Sequence, residues 1–208
     1  MKSPLADRIR PTELCDVVGQ RHLLSEDKPL RKIIESGNIP NLIFYGPSGV
    51  GKTTLASIIA KKSGKTLYRL NATTASTADL KQIISSRSDL ENQNGILLYL
   101  DEIQYFNKKQ QQSLLEYLED GRITLIASTT DNPYFCIYNA LLSRSSVFEF
   151  KPVPPAEVVR ALGRGLDYLN REVNRTRTFG AGVAEKIAYA SGGDVRRALT
   201  LFENAYLA

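Results

Sequence analysis

Residues 46–53, with the sequence Gly-Pro-Ser-Gly-Val-Gly-Lys-Thr, restrict the choice of fold more than any other part of the chain. They contain the full pattern of a phosphate-binding loop, in which two glycines enclose four residues and Lys-Thr follows. An apolar run of strand length, residues 41–45, precedes the loop, and residues 53–62 carry leucine and isoleucine at helical spacing. A strand, a glycine-rich loop and a helix in this order predict a cradle of backbone N–H groups for phosphate oxygens. An ordinary glycine-rich turn would not require all of these parts.

Each part of the loop has its own chemical task. The glycines let the backbone pass close to the phosphates, and Lys52 brings a flexible positive charge to the outer ones. The hydroxyl of Thr53 can ligate Mg²⁺. The residues assigned to nucleotide binding are Gly46, Pro47, Ser48, Gly49, Val50, Gly51, Lys52, Thr53 and Thr54.

Two adjacent acids, Asp101 and Glu102, follow the apolar run at residues 96–100. Such a run is typical of a strand buried on both faces of a parallel sheet, and ligands bind at the carboxyl edge of such sheets. We expect Asp101 to hold the Mg²⁺ shell and Glu102 to polarise the attacking water, because phosphoryl transfer depends on positioning and charge stabilisation. Acid pairs are common at strand ends, so this signal depends on the phosphate loop upstream. Together the two motifs predict hydrolysis rather than binding alone.

Strand and helix patterns alternate between residues 41 and 150. Besides the elements already named, strands are expected at 66–71, 124–128 and 147–150, and helices at 29–36, 77–87 and 108–118. This alternation predicts an α/β fold with a parallel five-stranded sheet flanked by helices.

The strand signal stops at three prolines, which lie between residues 151 and 156. Beyond them, helical patterns are found at 156–170, 182–190 and 195–207. We therefore place an α/β nucleotide-binding core at 1–152 and a small all-helical domain at 153–208.

Two polar positions each admit two interpretations. Thr129 follows the strand predicted at 124–128, where its hydroxyl could bind the γ-phosphate or the water, or could simply end the strand in a turn. Arg144 ends a short helix just before the last strand, where it could act on a phosphate or only balance the helix dipole. Without further context, the helix-end charge is the simpler interpretation of Arg144.

Composition excludes several classes of protein. The chain has 42% hydrophobic and 24% charged residues, as ordinary globular proteins do, and no apolar run approaches the ~20 residues of a membrane span. The first residues carry no apolar signal-peptide segment, and Cys15 and Cys136 have no metal-like spacing, so a reduced, cytoplasmic compartment is expected. The single histidine, His22, excludes histidine-rich metal sites. The net charge of +5 allows a polyanionic partner without requiring one.

The order of the motifs resembles the AAA+ ATPase family. The resemblance rests on the phosphate loop, the Asp-Glu strand end, the polar strand end, the Ser-Arg before the fifth strand and the C-terminal helices. It implies a P-loop AAA+ fold with a helical lid, and ATP with Mg²⁺ as the bound cofactors. Residues 192–199 resemble the family's Gly-Asp-x-Arg segment, so Arg196 matches the second sensor arginine, and Arg144 becomes an arginine finger for a neighbouring subunit. The candidate catalytic residues are then Lys52, Glu102, Thr129, Arg144 and Arg196.

The N-terminal segment, residues 1–24, resembles the part that clamp loaders and their relatives fold over adenine. The resemblance lies in the stretch Arg-Ile-Arg-Pro-Thr-Glu-Leu-Cys-Asp-Val-Val-Gly-Gln at residues 8–20. It implies an apolar wall for the base, formed by Ile9, Pro11, Val17 and Val18.

More narrowly, the chain resembles the replication-associated recombination protein A family. The stretches that carry this resemblance are 4–6, 19–24, 106–112, 119–124 and 129–133. Gln104-Tyr105 departs from the family's usual His-Arg, and residues 174–182 also differ.

This narrower resemblance implies DNA-associated remodelling at stalled replication forks. The expected partners are DNA at forks, gaps or single-strand/duplex junctions, a single-stranded-DNA-binding protein, and further copies of the chain in a tetramer, with no membrane. The expected location is the cytoplasm, in association with the nucleoid. The family continues beyond the lid into a tetramerisation domain, so we expect this chain to represent the ATPase core and lid only.

Other functions stay open at this point. Within the same class, the chain could be a clamp-loader subunit or a Holliday-junction branch-migration motor. From other classes, it could be an ATP-gated assembly switch with little turnover, or a small-molecule kinase. Glu102 and Arg144 argue against an inert switch. A kinase would need neither Arg144 nor the adenine segment nor the lid arginine.

Overall fold

The computed structural model describes residues 3–85 and 95–207. The strands are β1 (Leu42–Tyr45), β2 (Thr66–Asn71), β3 (Ile96–Asp101), β4 (Ile123–Thr129) and β5 (Ser146–Glu149). The helices are α1 (Leu5–Arg8), α2 (Arg21–Leu24), α3 (Pro29–Ser36), α4 (Lys52–Ser63), α5 (Thr77–Ser85), α6 (Lys108–Glu119), α7 (Pro133–Cys136), α8 (Asn139–Leu142), α9 (Pro155–Val173), α10 (Val183–Ala190) and α11 (Val195–Leu207). Short 3₁₀ turns lie at Leu14–Asp16 and Ile103–Tyr105.

The strands form one parallel sheet in the order β2-β3-β4-β1-β5. The apolar residues of β3 are all buried, as expected for a strand covered on both faces. This confirms the predicted α/β class. Because β3, β4 and β1 are neighbours, the residues that follow them meet at one edge of the sheet. That edge carries the start of the phosphate loop, the acid pair and the polar end of β4.

The predicted elements agree with the observed ones to within a few residues. Helix α3 and strand β2 have the predicted bounds. Helix α5 was expected to reach residue 87, and residues 86 and 87 lie outside the described residues. None of the described helices is long and apolar enough to cross a membrane.

The chain divides into two compact units. One unit, called here the sheet unit, comprises His22–Gly46 and Lys52–Phe150. The other, called the helical unit, comprises Met1–Arg21, Pro47–Gly51 and Lys151–Ala208. The division proposed from sequence placed the N-terminal segment and the whole phosphate loop with the core, whereas the structure groups residues 1–21 and 47–51 with the C-terminal helices.

Contacts of α1 explain why the N-terminal segment belongs to the helical unit. Leu5 is completely buried, and its backbone N–H donates to Glu203 of α11 at 2.9 Å. Arg8 forms ion pairs with Glu203 and, at 2.6 Å, with Glu172 of α9, and its guanidinium stacks over Tyr168. Such long-range ion pairs leave no periodic signal in a sequence.

A second ionic contact in the helical unit involves Glu157, at the start of α9. This carboxylate is buried and accepts hydrogen bonds from Arg21 and, at 3.0 Å, from Arg160. Burial raises the pKa of the carboxyl group, but the two guanidinium groups outweigh it and hold the pKa below its ordinary value. Glu157 is therefore charged in the folded protein.

A candidate nucleotide-binding site

In the sheet unit, the phosphate loop begins at Gly46, where only glycine fits. Its φ is +137°, and an added Cβ would lie 2.1 Å from the carbonyl oxygen of Phe150. Lys52 opens helix α4, and its buried ammonium donates to the carbonyl of Gly46 at 2.5 Å. The structure thus places the predicted cation at the helix N-terminus, which itself favours anions.

In the helical unit, residues 47–51 are held by the segment that precedes α11. Ser48 Oγ donates to Asp194 Oδ2 at 3.0 Å, and the N–H of Val195 donates to the carbonyl of Gly49 at 3.1 Å. Asp194 also caps α11 by accepting from the N–H of Arg197 at 2.8 Å. An added Cβ at Gly49, whose φ is +67°, would lie 1.8 Å from Asp194 Oδ1. The middle of the loop and the Gly-Asp-x-Arg segment therefore form one hydrogen-bonded structure.

Hydrogen bonds in the sheet unit connect Thr53 and Asp101, the two predicted Mg²⁺ ligands. The hydroxyl of Tyr99 lies 3.0 Å from Thr53 Oγ1, 2.9 Å from Ser128 Oγ and 3.2 Å from Asp101 Oδ1. Ser128 donates to the same carboxylate oxygen. Burial, reinforced by the charge of Asp101, raises the pKa of Tyr99, so its phenol stays neutral near pH 7. We call Thr53, Tyr99, Asp101 and Ser128 the hydroxyl network.

The ligand chemistry of Thr53 and Asp101 fits Mg²⁺. This ion prefers oxygen donors and is usually held by one or two protein groups together with phosphate oxygens and water. Both candidate ligands supply oxygen, and both follow directly from the predicted motifs. Among residues 3–85 and 95–207, no cluster of three or more His, Cys, Asp or Glu side chains could hold a metal ion.

Glu102 follows β3 directly and lies in the left-handed region, with φ +56° and ψ +46°. This conformation is uncommon for a residue with a side chain and is often found at functional positions. One carboxylate oxygen accepts from Gln104 Nε2 at 2.5 Å, and Thr130 Oγ1 lies 3.5 Å from the same oxygen. The backbone and Gln104 therefore fix the position of Glu102.

Thr129 ends β4 and is completely buried. Its hydroxyl accepts from the N–H of Asp131 at 3.0 Å and lies 3.9 Å from the thiol of Cys136. It therefore helps to shape the turn after the strand. Thr130 is exposed and approaches Glu102, because successive side chains of an extended chain point to opposite sides. The structure favours Thr130 over Thr129 as the polar group beside Glu102.

Arg144 lies between α8 and β5 and is exposed at its side chain. Its guanidinium pairs with Glu119 at 2.8 Å and donates to the carbonyl of Ala140 at 3.1 Å. Within the described part of the sheet unit, its hydrogen bonds and ion pairs include none with Lys52 or with the acid pair. The structure does not bring Arg144 into the site of its own sheet unit.

Four residues of the helical unit were expected to form an apolar wall, and all four are half-buried. Ile9 and Pro11 line a cavity of about 280 Å³, whereas Val17 and Val18 are not among its lining residues. Charged groups also line this cavity, among them Asp16, Asp167, Arg164 and Arg171, together with the ring of Tyr168. The cavity is thus more polar than the expected wall.

Arg196 lies in the first turn of α11 and is exposed. Its side chain makes no hydrogen bond or ion pair within the described residues. The sensor role suggested by the family resemblance stays a prediction.

Four polar residues that the structure places around the acid pair were not predicted as site residues from the sequence: Tyr99, Gln104, Ser128 and Thr130. Tyr99 and Ser128 stood inside apolar runs, and their hydroxyls meet only because β3 pairs with β4. The departure from the family pattern at Gln104 was the one signal that pointed to any of them.

The family model and the relatives that match this chain agree on one family. Residues 42–153 match the model of the ATPase family associated with various cellular activities (AAA). Replication-associated recombination protein A of Coxiella burnetii is 39% identical over 207 residues, which cover 96% of this chain and 46% of that protein. ATPase WRNIP1 of Dictyostelium discoideum is 36% identical over 204 residues, covering 98% of this chain and 23% of that protein. The chain thus spans less than half the length of these relatives.

A solved structure extends the similarity to the backbone. The RuvB Holliday junction branch migration motor of Thermotoga maritima superposes with a TM-score of 0.77 at 25% identity, covering 95% of this chain and 65% of that one. The curated relatives confirm the resemblance to the replication-associated recombination protein A family. The AAA model covers more than half of the chain, including β3 and the acid pair that follows it. The chain therefore belongs to the AAA family of ATPases.

Proposed function

We propose that the chain hydrolyses ATP with Mg²⁺ and that this hydrolysis drives the remodelling of DNA at stalled replication forks. The observation that carries the hydrolytic part is the arrangement at one edge of the sheet. It combines a cation at Lys52, two oxygen ligands at Thr53 and Asp101, and a separate carboxylate at Glu102. Phosphoryl transfer to water needs these groups, because it depends on positioning and charge stabilisation.

Each residue has a separate task in this proposal. Lys52 exchanges the Gly46 carbonyl for the outer phosphates of the nucleotide. Thr53 and Asp101 would hold Mg²⁺, which would neutralise charge on the phosphate oxygens. Glu102 accepts a hydrogen bond from the attacking water, with Gln104 holding its carboxylate. We assign Thr130, rather than Thr129, as the second polar group beside the Glu102 carboxylate.

Three further assignments concern the neighbouring subunit, the lid and the base. Arg144 is exposed, and we assign it to the nucleotide of a neighbouring copy in a homo-oligomer, which we propose to be a tetramer. Arg196 contributes a second positive charge at the phosphates. We assign Ile9, Pro11, Val17 and Val18 to the adenine base; the support is that Ile9 and Pro11 line a cavity of about 280 Å³.

The DNA part rests on similarity and charge. The relatives are named for replication-associated recombination and, for the solved structure, for branch migration of Holliday junctions. The net charge of +5 is compatible with DNA phosphates. The proposed substrates are forks, gaps and single-strand/duplex junctions, the proposed partner is a single-stranded-DNA-binding protein, and the proposed location is the cytoplasm at the nucleoid.

Two substitutions test the hydrolytic mechanism. Lys52→Ala should weaken ATP binding by at least about ten-fold, because it removes a charge that contacts phosphates in the ground state. Glu102→Gln should keep ATP affinity within about three-fold of wild type and lower kcat by about 100-fold or more, because Glu102 acts mainly on the water in the transition state. Nucleotide binding is measured by fluorescence and turnover by phosphate release, with Mg²⁺ and with EDTA. Wild-type turnover by Glu102→Gln would contradict the assigned role.

DNA binding is tested with single-stranded, duplex and gapped DNA at several salt concentrations. The modest charge predicts weak binding that falls steeply with salt, since few phosphates can be neutralised. Tight binding with an affinity that changes neither with salt concentration nor with DNA structure would contradict the proposal.

A further inference from the structure

Tyr99 is the only polar side chain in the apolar run of β3 before Asp101, and it is 1% exposed. A phenylalanine ring would fill the same space without any cost of burying a hydroxyl. A buried hydroxyl is unfavourable unless it is hydrogen-bonded. The hydrogen-bond partners of Tyr99 therefore indicate the role of its hydroxyl. Among residues 3–85 and 95–207, the side chains within hydrogen-bond distance of its hydroxyl are Thr53, Ser128 and Asp101, which all belong to the hydroxyl network.

The hydrogen bonds of the network run in one direction, from Thr53 through Tyr99 and Ser128 to Asp101. A threonine hydroxyl that offers a lone pair to Mg²⁺ must direct its own proton elsewhere, and the phenol oxygen of Tyr99 lies 3.0 Å from Thr53 Oγ1. Tyr99 has one proton to donate, and Ser128 Oγ lies 2.9 Å away. Ser128 in turn donates to Asp101 Oδ1. Tyr99 and Ser128 then each accept one hydrogen bond and donate one, and the chain of bonds ends on a carboxylate.

This arrangement leaves the second oxygen of Asp101 available. Ser128 donates to Oδ1, and the phenol oxygen of Tyr99 lies 3.2 Å from the same oxygen. Among the described residues, no hydrogen bond to Oδ2 is found. The network therefore fixes the rotation of the carboxylate while one oxygen stays open to a cation.

We propose that Tyr99 is a positioning residue for the metal of the bound Mg²⁺–nucleotide. It acts through Thr53 and Asp101, because its hydroxyl lies within 3.0 Å of Thr53 Oγ1 and 3.2 Å of Asp101 Oδ1 and so restricts the orientation of both side chains. Ser128 supports it from the neighbouring strand. The inference rests on the proposed function, because it requires that Thr53 and Asp101 ligate Mg²⁺.

The test distinguishes the contribution of the metal to binding from that of the nucleotide alone. The affinity for a slowly hydrolysed ATP analogue is measured twice, with Mg²⁺ and with EDTA, and the ratio of the two dissociation constants gives the gain due to the metal. Tyr99→Phe keeps the ring and removes only the hydroxyl. Tyr206→Phe is the matched control, because it deletes another largely buried tyrosine hydroxyl, bonded to Asn170 at 2.9 Å in the helical unit.

We expect Tyr99→Phe to lower the gain due to Mg²⁺ by about ten-fold, the effect typical of groups that orient metal ligands. Affinity in EDTA should stay at the wild-type value, and Tyr206→Phe should change neither measurement. Ser128→Ala should lower the gain by about three-fold, the effect of one hydrogen bond. The double variant should lose less than the product of the two single effects, because both act in one network. With Mn²⁺ in place of Mg²⁺, the electron paramagnetic resonance spectrum should broaden in Tyr99→Phe.

The outcomes are distinct. An unchanged gain due to Mg²⁺ in Tyr99→Phe overturns the inference, as does an equal loss of affinity with Mg²⁺ and EDTA, which indicates general structural damage. A wild-type protein that binds the analogue equally well in both conditions contradicts the proposed function instead. If Tyr99→Phe does not fold, Ser128→Ala provides the test instead. An unchanged gain in affinity due to Mg²⁺ in that variant overturns the inference.

Discussion

Replacement of Gly49 by alanine should destabilise the protein more than its backbone angle alone explains. At φ +67° an alanine costs about 1 kcal/mol, as at any left-handed position. The new Cβ would also lie 1.8 Å from Asp194 Oδ1, so the carboxylate must move. Displacement removes the cap of α11, worth about 1 kcal/mol, and the hydrogen bond from Ser48, worth about 1 kcal/mol more at this exposed site.

Gly182→Ala is the matched control, because Gly182 has φ +71°, lies in the same unit and has no atom within 4 Å of an added Cβ. The difference between the two variants should be about 2 kcal/mol, or about 4–8 °C in Tm for a chain of this length. Thermal unfolding followed by circular dichroism measures it. In addition, Gly49→Ala combined with Asp194→Ala should lose less than the sum of the single losses. Equal Tm shifts for Gly49→Ala and Gly182→Ala would refute the steric argument.

Three further predictions concern the acid pair, an ion pair and assembly. Gln104→Ala should lower kcat about five-fold with little change in KM, because loss of a hydrogen bond worth about 1 kcal/mol leaves Glu102 less well oriented; an unchanged kcat would remove Gln104 from the mechanism. The stability contributed by Glu157 should be present above its unfolded pKa and be lost as pH falls through its lower folded pKa; Glu157→Gln should abolish that part of the acid dependence in urea unfolding at several pH values. In a verified oligomer, mixing Arg144→Ala with Lys52→Ala subunits should restore activity above either variant alone, since an arginine finger contributes about 10³–10⁵ in rate; no rescue would exclude action on a neighbour.

Local patterns in the sequence predicted much of the fold. The bounds of α3 and β2 follow from flanking glycine, proline and apolar periodicity, which are properties of adjacent residues. The phosphate loop and the acid pair were also identified because each is a contiguous motif. The structure adds their common edge through the strand order, which depends on non-local pairing.

Properties that depend on strand register or on distant contacts could not be predicted. Ser128 meets Tyr99 across 29 positions of the chain, and neither residue belongs to a motif. The choice between Thr129 and Thr130 depends on a shift of one residue, which reverses the direction of a side chain on a strand. The grouping of α1 with α9 and α11 rests on ion pairs that composition does not reveal.

The site combines a rigid support with a strained position. Residues Ile96–Leu100 are buried on both faces of the sheet, so the end of β3 can move little. The left-handed conformation of Glu102 costs of order 1–3 kcal/mol, and such a cost persists only where the surroundings hold the backbone in place. Asp101, one residue earlier, is fixed instead by the hydroxyl network. The two adjacent carboxylates are thereby positioned by different means, Asp101 by the hydroxyl network and Glu102 by its backbone conformation together with Gln104. This difference supports our proposal that Asp101 serves the metal and Glu102 the water.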